Sequence, residues 1–420
     1  MYTKTVLDNG LRIITSPMPH SRSVSLVILV GAGSCYESKE EAGISHFAEH
    51  LFFKGTERRP TSKEISQDIE GVGGIINGGT DKELTIFWCK VASSHFPVAL
   101  DVLSDLLLNS RFDNKEVERE RMVIIEEIKM NLDLPQQRVN TIIDELLWPD
   151  QPLGREVIGY KETVSSITRK QLLDHVGRRY IPNNTVLSIA GDIQYEELMA
   201  QIKPLFDKWA TGQVSTGYTT DAKQTKARLR VESRDIEQVH LCLAVHGFSH
   251  FHPQRFALDL LNTVLGGGMS SRLFTEIREH RGLAYDIHSY TEHFLSSGSF
   301  AIYAGVDPNK IEIAVEAIIE EISQIKQEIT TSELTRAKEL SKGRLHLRLE
   351  DSRNVALWHG SQEILTQQIL SIDDVISIVD AVTIDELKAV AEEIFTESGF
   401  NLAVTGPIKE ETTLRQLLKI

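Results

Sequence analysis

A chain of 420 residues with 41% hydrophobic and 25% charged residues has the composition of an ordinary globular protein, and its length predicts two domains rather than one core. Its net charge of -15 argues against sequence-independent binding to nucleic acid, which needs a basic face to offset the phosphates. The longest apolar runs, 25–30 and 186–190, fall far short of the roughly 20 residues that span a bilayer, so no membrane segment is expected.

The chain opens on a strand pattern that runs into a tight turn at Asp8-Asn9-Gly10, without the charged-then-apolar pattern of a secretion signal. Cys35, Cys89 and Cys242 are widely spaced, odd in number and outside any Cys-x-x-Cys pattern, so a reducing cytoplasm is expected.

Residues 42–55 predict a helix closed by a glycine, Gly55, just past its end. At about 100° per residue, Ile44, Phe47, Ala48, Leu51 and Phe52 share the apolar face, while His46, Glu49 and His50 cluster opposite. Two imidazoles four residues apart can share one ion. The plain alternative is a polar helix face, and a His-x-x-Glu-His string alone is a moderate signal.

A catalytic zinc needs three protein ligands and an open position, so a third donor must come from elsewhere. The best source is a helix opened by Asp113 and Glu116 as a capping box and running to about Asn131. On its wheel Glu120 and Glu127 lie about 20° apart beside Val123 and Ile124, whereas Glu126 sits among Arg119 and Lys129. A buried carboxylate without a partner costs several kcal/mol, so acids on a semi-apolar stripe should face a cation or a metal. Glu127 is therefore assigned as the third ligand of one Zn²⁺ per chain, and Glu120 as an auxiliary acid that orients the site. Glu49 is the general base for water attack on a peptide carbonyl.

Alternating strands at Glu83–Val91 and Val239–Val245 mix with long amphipathic helices. An α+β class follows, with a mainly antiparallel sheet packed with helices in each of two domains. Between Trp209 and Arg228 the periodicity lapses into a polar, linker-like run, which predicts domains at 1–209 and 229–420 joined by 210–228. Thr168–Ile193 and Thr383–Ile408 echo each other without a gap, each a helix followed by a strand, with Leu172 matching Leu387 and Gly191 matching Gly406. One unit is duplicated.

His246, His250 and His252 lie close together, but Gly247 and Pro253 mark a loop in which histidines are more often solvated than ligating. The run Leu265–Ser271 is glycine-rich yet lacks the Gly-Lys-Ser/Thr ending of a phosphate loop. A helix over about Ser332–Leu349 is read as core packing rather than membrane contact.

The chain resembles the pitrilysin/insulinase family, especially its short bacterial forms related to the mitochondrial processing peptidase. The residues that carry the likeness are Gly43–Thr56, then Glu118-Arg119-Glu120-Arg121 through Glu127, and Pro152-Leu153-Gly154 with Gly159. The resemblance implies two zinc ligands and the base from the inverted motif, with Glu127 completing the site, in agreement with the wheel. It also implies clamshell halves around an enclosed chamber, where a peptide adds as a strand to an edge at Asn77–Thr85, contacting Asn77 and Gly78. The family commonly has Asn-Ala followed by a large residue where this chain has Asn77-Gly78-Gly79-Thr80; the extra glycine raises the entropy lost on ordering, so the family's substrate affinity and preference at this edge do not carry over.

In the second half, Arg278 and Tyr285 match the family's substrate-contacting arginine and tyrosine. Aligning Gly55 with Gly266 places Ala257, Leu260 and Leu261 where the ligands stand, so this half has no metal site. The implied assembly is a C₂ homodimer in which Arg278 and Tyr285 complete a partner's site. The reading is thus a cytoplasmic zinc endopeptidase acting on peptides or unfolded polypeptide. Its rivals are a scaffold subunit that has lost catalysis and a module that binds peptides without cleaving them.

Overall fold

The computed structural model describes residues 2–214, 217–409 and 411–418. The chain divides into two compact units, each built on one sheet packed with helices, which is the α+β arrangement expected.

The first unit comprises Met1–Lys129, Glu156–Tyr218 and His346–Ser371. Its strands are β1 (Thr3–Val6), β2 (Arg12–Pro17), β3 (Ser23–Val30), β4 (Ile75–Thr80), β5 (Thr85–Ala92) and β6 (Thr185–Gly191), in the order β1-β2-β6-β3-β5-β4. All neighbours are antiparallel except β2 and β6.

Central β3 reads SVSLVILV and is buried along nearly its whole length, because both faces of the sheet are covered. Val24, Leu26, Ile28 and Val30 point into a core with the helices Ile44–Phe52, Phe96–Asn109 and Asn114–Asp133. Val27 and Leu29 point the other way, into a smaller core closed by Ala356 of the helix Ser352–Thr366. That helix approaches closely because Gly360 has no side chain. A Cβ there would sit 2.4 Å from a Leu29 methyl and 2.9 Å from the Ser188 Cβ. Its buried Glu363 pairs with Lys4 at 2.6 Å and Arg12 at 3.5 Å, so the carboxylate is not left bare in the interior.

The second unit comprises Met130–Arg155, Thr219–Leu345 and Ile372–Ile420. Its strands are β7 (Arg228–Ser233), β8 (Val239–His246), β9 (Ala284–His293), β10 (Gly298–Val306) and β11 (Asn401–Gly406), ordered β7-β11-β8-β10-β9. Only β7 and β11 run parallel. The helix Pro135–Leu147 packs on β8 and β11 and is tied to β7 by Arg138 and Glu232 at 2.6 Å.

The duplication extends to topology. Helix Arg169–Arg179 leads into β6 and helix Ile384–Ile394 into β11, each opened by a threonine capping box. Both strands then take the same place, parallel to one neighbour and antiparallel to the next. The units nevertheless do not follow the contiguous halves 1–209 and 229–420. Residues 130–155 belong to the second unit and 346–371 to the first, so each sheet is capped by a helix from the other half of the sequence. An amphipathic stripe says that a helix must bury one face, not which sheet will receive it. The passage from Tyr218 to Thr219 does lie within the expected linker 210–228, of which residues 215 and 216 are outside the described residues.

Candidate metal centre

The histidine helix runs Ile44–Phe52, with Ile44, Phe47, Ala48, Leu51 and Phe52 buried as the wheel requires. It starts from Gly43, in the left-handed region at φ 92°. A Cβ at Gly43 would meet the Ile158 carbonyl oxygen at 2.6 Å, so only glycine suits this entry. The helix Asn114–Asp133 lies across from it, with Glu120 buried and Glu127 half-exposed. Asp113 and Glu116 pair with Arg111 and Arg119 rather than forming the expected capping box.

His46, His50 and Glu127 converge. The Glu127 Oε2 lies 3.9 Å from the His46 Nε2 and 3.7 Å from the His50 Nε2, and the two rings are 4.6 Å apart. One ligand atom from each falls within 4.8 Å of the others, the single such trio among the described residues. Donors about 2.1 Å from a tetrahedral ion stand roughly 3.4 Å apart, so the Glu127 oxygen would close on each imidazole nitrogen by about half an ångström or less to share one ion. The donor set, two imidazole nitrogens and one carboxylate oxygen, is the chemistry a catalytic zinc takes. His246, His250 and His252 form no such group.

The surroundings prepare these side chains. Burial, followed by the neighbouring His50, pushes His46 down to about 3, so its ring is neutral and ready to ligate at neutral pH. His50 moves upward: burial opposes this, but the Glu120 hydrogen bond and the charges of Glu49 and Glu127 outweigh it. His50 Nδ1 lies 3.1 Å from the Glu120 Oε2, and the other Glu120 oxygen receives Lys54 Nζ at 2.9 Å. That bond holds the proton of His50 on Nδ1 and leaves Nε2 facing Glu127. Burial works against ionised Glu120, yet the bonds from His50 and Lys54 keep its carboxyl below the usual range.

Glu49 stands beside the trio, one turn after His46 and next to His50 in the chain. Burial raises its carboxyl above the usual range, against the charge of His50 and a hydrogen bond from Thr80 Oγ1 to its Oε2 at 3.3 Å. Thr80 and Gly78 belong to β4, whose alternation turns Ile76, Gly78 and Thr80 to one face and Ile75, Asn77 and Gly79 to the other. A Cβ at Gly78 would lie 2.9 Å from the Glu49 Oε1 and 2.8 Å from the Phe53 ring, whereas one at Gly79 would meet nothing within 4 Å.

β4 is the edge of its sheet, but the edge is Ile75–Thr80 rather than Asn77–Thr85, since Thr85 opens the interior strand β5. Asn77 is exposed and its Oδ1 accepts from the Gly78 N–H at 2.8 Å. In the second unit the Arg278 guanidinium stacks 5.2 Å from the Tyr285 ring, and Tyr285 is 77% exposed at the start of β9. Ala257, Leu260 and Leu261 are buried in the helix Arg255–Leu265, without a ligating group among them. Thr80 as partner of Glu49, and Lys54 as partner of Glu120, went unread in the sequence. Neither follows from the helical period that marked the candidate ligands.

Comparison with known proteins matches residues 12–161 to the family described as Insulinase (Peptidase family M16) and residues 166–341 to the Peptidase M16 inactive domain. The zinc protease YmxG of Bacillus subtilis (strain 168), itself named as uncharacterized, is 35% identical over 97% of this chain and 98% of its own. A similarly named zinc protease of Mycobacterium leprae (strain TN) is 35% identical over 99% of this chain and 94% of its own. The crystal structure of a protease from Helicobacter pylori has the same fold, with a TM-score of 0.93 at 24% identity over 97% of this chain and 99% of that one.

Proposed function

The chain belongs to the insulinase (M16) peptidase family, and from that premise we propose that it is a zinc endopeptidase holding one ion on His46, His50 and Glu127. The observation that carries the reading is the convergence of these three side chains from two helices, with the Glu49 carboxylate beside them.

Zinc bound in such a set polarises a peptide carbonyl and acidifies water. Glu49, its carboxyl raised above the usual range by burial, accepts the proton of the attacking water and returns it to the leaving amine. Thr80 fixes one oxygen of that carboxylate, and Glu120 fixes the ring of His50. The free edge of β4 offers unpaired backbone groups, so an extended peptide or unfolded segment adds there as a strand, past Asn77 and Gly78. Strand addition reads main chain first, which suits polypeptide substrates of varied sequence held in an enclosed chamber.

Arg278 and Tyr285 bind the peptide and its carbonyl oxygen. We assign them to the site of a second copy in a C₂ homodimer, because one chain carries both a complete ligand set and this pair. Among the described residues no helix is long and apolar enough to cross a membrane, and a cytoplasmic location is part of the proposal.

The test is Glu49→Gln against a peptide library. Turnover should fall about 10²–10⁴-fold with zinc still bound, whereas His50→Ala and Glu127→Ala should lose the metal as well. Normal cleavage by the Glu49→Gln chain, or cleavage that survives a chelator, would overturn the mechanism.

A further inference from the structure

The two histidines are held unequally. His50 is aimed by Glu120 through Nδ1, but the buried Nδ1 of His46 has no hydrogen-bond partner among the described residues. No hydrogen bond on that side aims the His46 ring, so its placement rests on packing and on its backbone, and His46 lies in the first turn of its helix, where amide groups lack partners within the helix.

That turn cannot cap itself. Its N-cap is Gly43, which has no side chain to offer, and no acidic residue stands in the first turn. Gly43 cannot be exchanged for a capping residue either, because its φ of 92° and its closeness to Ile158 and Gly159 exclude a Cβ. Gly159, at φ 77°, packs backbone against backbone here, since its own Cβ would fall 2.4 Å from the Ala42 oxygen.

The missing acceptor is Glu37, from the segment that follows β3. Its side chain is buried; Oε2 accepts the Gly43 N–H and Oε1 the Ser45 N–H, both at 2.8 Å. One carboxylate thus spans the helix start, and its charge lies at the positive end of the helix dipole. The Ser45 side chain is held in turn, with its Oγ 3.3 Å from the His175 Nε2.

We propose that Glu37 is a positioning residue for the metal centre: it does for His46, through the backbone of the first turn, what Glu120 does for His50 through the ring. The inference rests on His46 being a zinc ligand. Glu37 touches neither the ion nor the substrate, and its effect passes through the Gly43 and Ser45 amides.

Glu37→Gln keeps the shape but turns an NH₂ group toward one of those amides, donor against donor. Glu37→Asp keeps the charge but is one methylene too short to reach both. The full chain, stripped and reloaded, is titrated with zinc against a chelating indicator, and its cobalt-substituted form is followed by visible absorption. Either variant should bind zinc about tenfold more weakly, the low end for a partner outside the ligand set, with an altered cobalt spectrum. At saturating zinc, kcat should fall while KM stays put.

A variant with a lower melting temperature but unchanged zinc affinity and cobalt spectrum would reduce Glu37 to a fold-stabilising cap and overturn the proposal. Should Glu37→Gln fail to fold, Glu37→Asp decides by the same two readings. His50→Ala runs alongside: if it keeps zinc, the ligand assignment fails, a result distinct from failure of the role given to Glu37.

Discussion

Glu120→Gln tests how much of the metal affinity is carried by a side chain outside the proposed ligand set. The wild-type carboxylate is 3% exposed and is shared between two donors, His50 Nδ1 at 3.1 Å and Lys54 Nζ at 2.9 Å. An amide in that place has one acceptor oxygen. If the oxygen faces His50, the NH₂ group meets the Lys54 ammonium; turned the other way, it meets the Nδ1 proton. Either arrangement sets donor against donor and removes a negative charge that steadies His50. Loss of such an outer partner costs about 10–100-fold in metal affinity, or about 1.4–2.7 kcal/mol. Competition between the protein and a chelating indicator reads this directly, with no need for a substrate. Glu126→Gln on the same helix is the control, since Glu126 is exposed and pairs with Lys129 at 2.7 Å. Equal zinc affinity in both variants would refute the argument that Glu120 orients His50.

Gly78→Val should lower kcat about 10–100-fold by displacing Glu49 and Phe53, while Gly79→Ala, on the opposite face of β4, should change it less than about twofold; equal effects would separate Gly78 from Glu49. Mixing a Glu49→Gln chain with an Arg278→Ala chain should restore activity through hybrid dimers, and no rescue at any ratio would place each site within one chain. Burial, followed by Arg179 and Arg178, pushes His175 down to about 3, below its unfolded value of about 6.5. The unfolded chain then takes the proton first, so this contribution to stability is complete above pH 6.5 and is lost as pH falls toward 3. Between pH 6.5 and 5, His175→Leu should show a shallower dependence of unfolding free energy on pH; an unchanged slope would contradict the shift.

The acidic and histidine side chains of the proposed metal centre were legible because they obey a local period. His46 and His50 are one turn apart, and Glu120 and Glu127 return to one side of their helix after two turns, so the wheel alone brings each pair to a single face. The repeated helix and strand at Thr168–Ile193 and Thr383–Ile408 were visible for the same reason, and the structure gives both copies equivalent places in their sheets.

Other features arise only from contacts between segments far apart in the chain. Nothing around Glu49 in sequence points to Thr80 or to the bare Cα of Gly78, and nothing near Gly43 points to Glu37 as its cap. The crossed helices Pro135–Leu147 and Ser352–Thr366 are a further case, each amphipathic enough to need a sheet but silent about which one. Helical and strand periods are set by the backbone and so are written in neighbouring residues. Which faces meet is chosen by burial across the whole chain, and that choice gave Glu49 its threonine and His46 its capped turn.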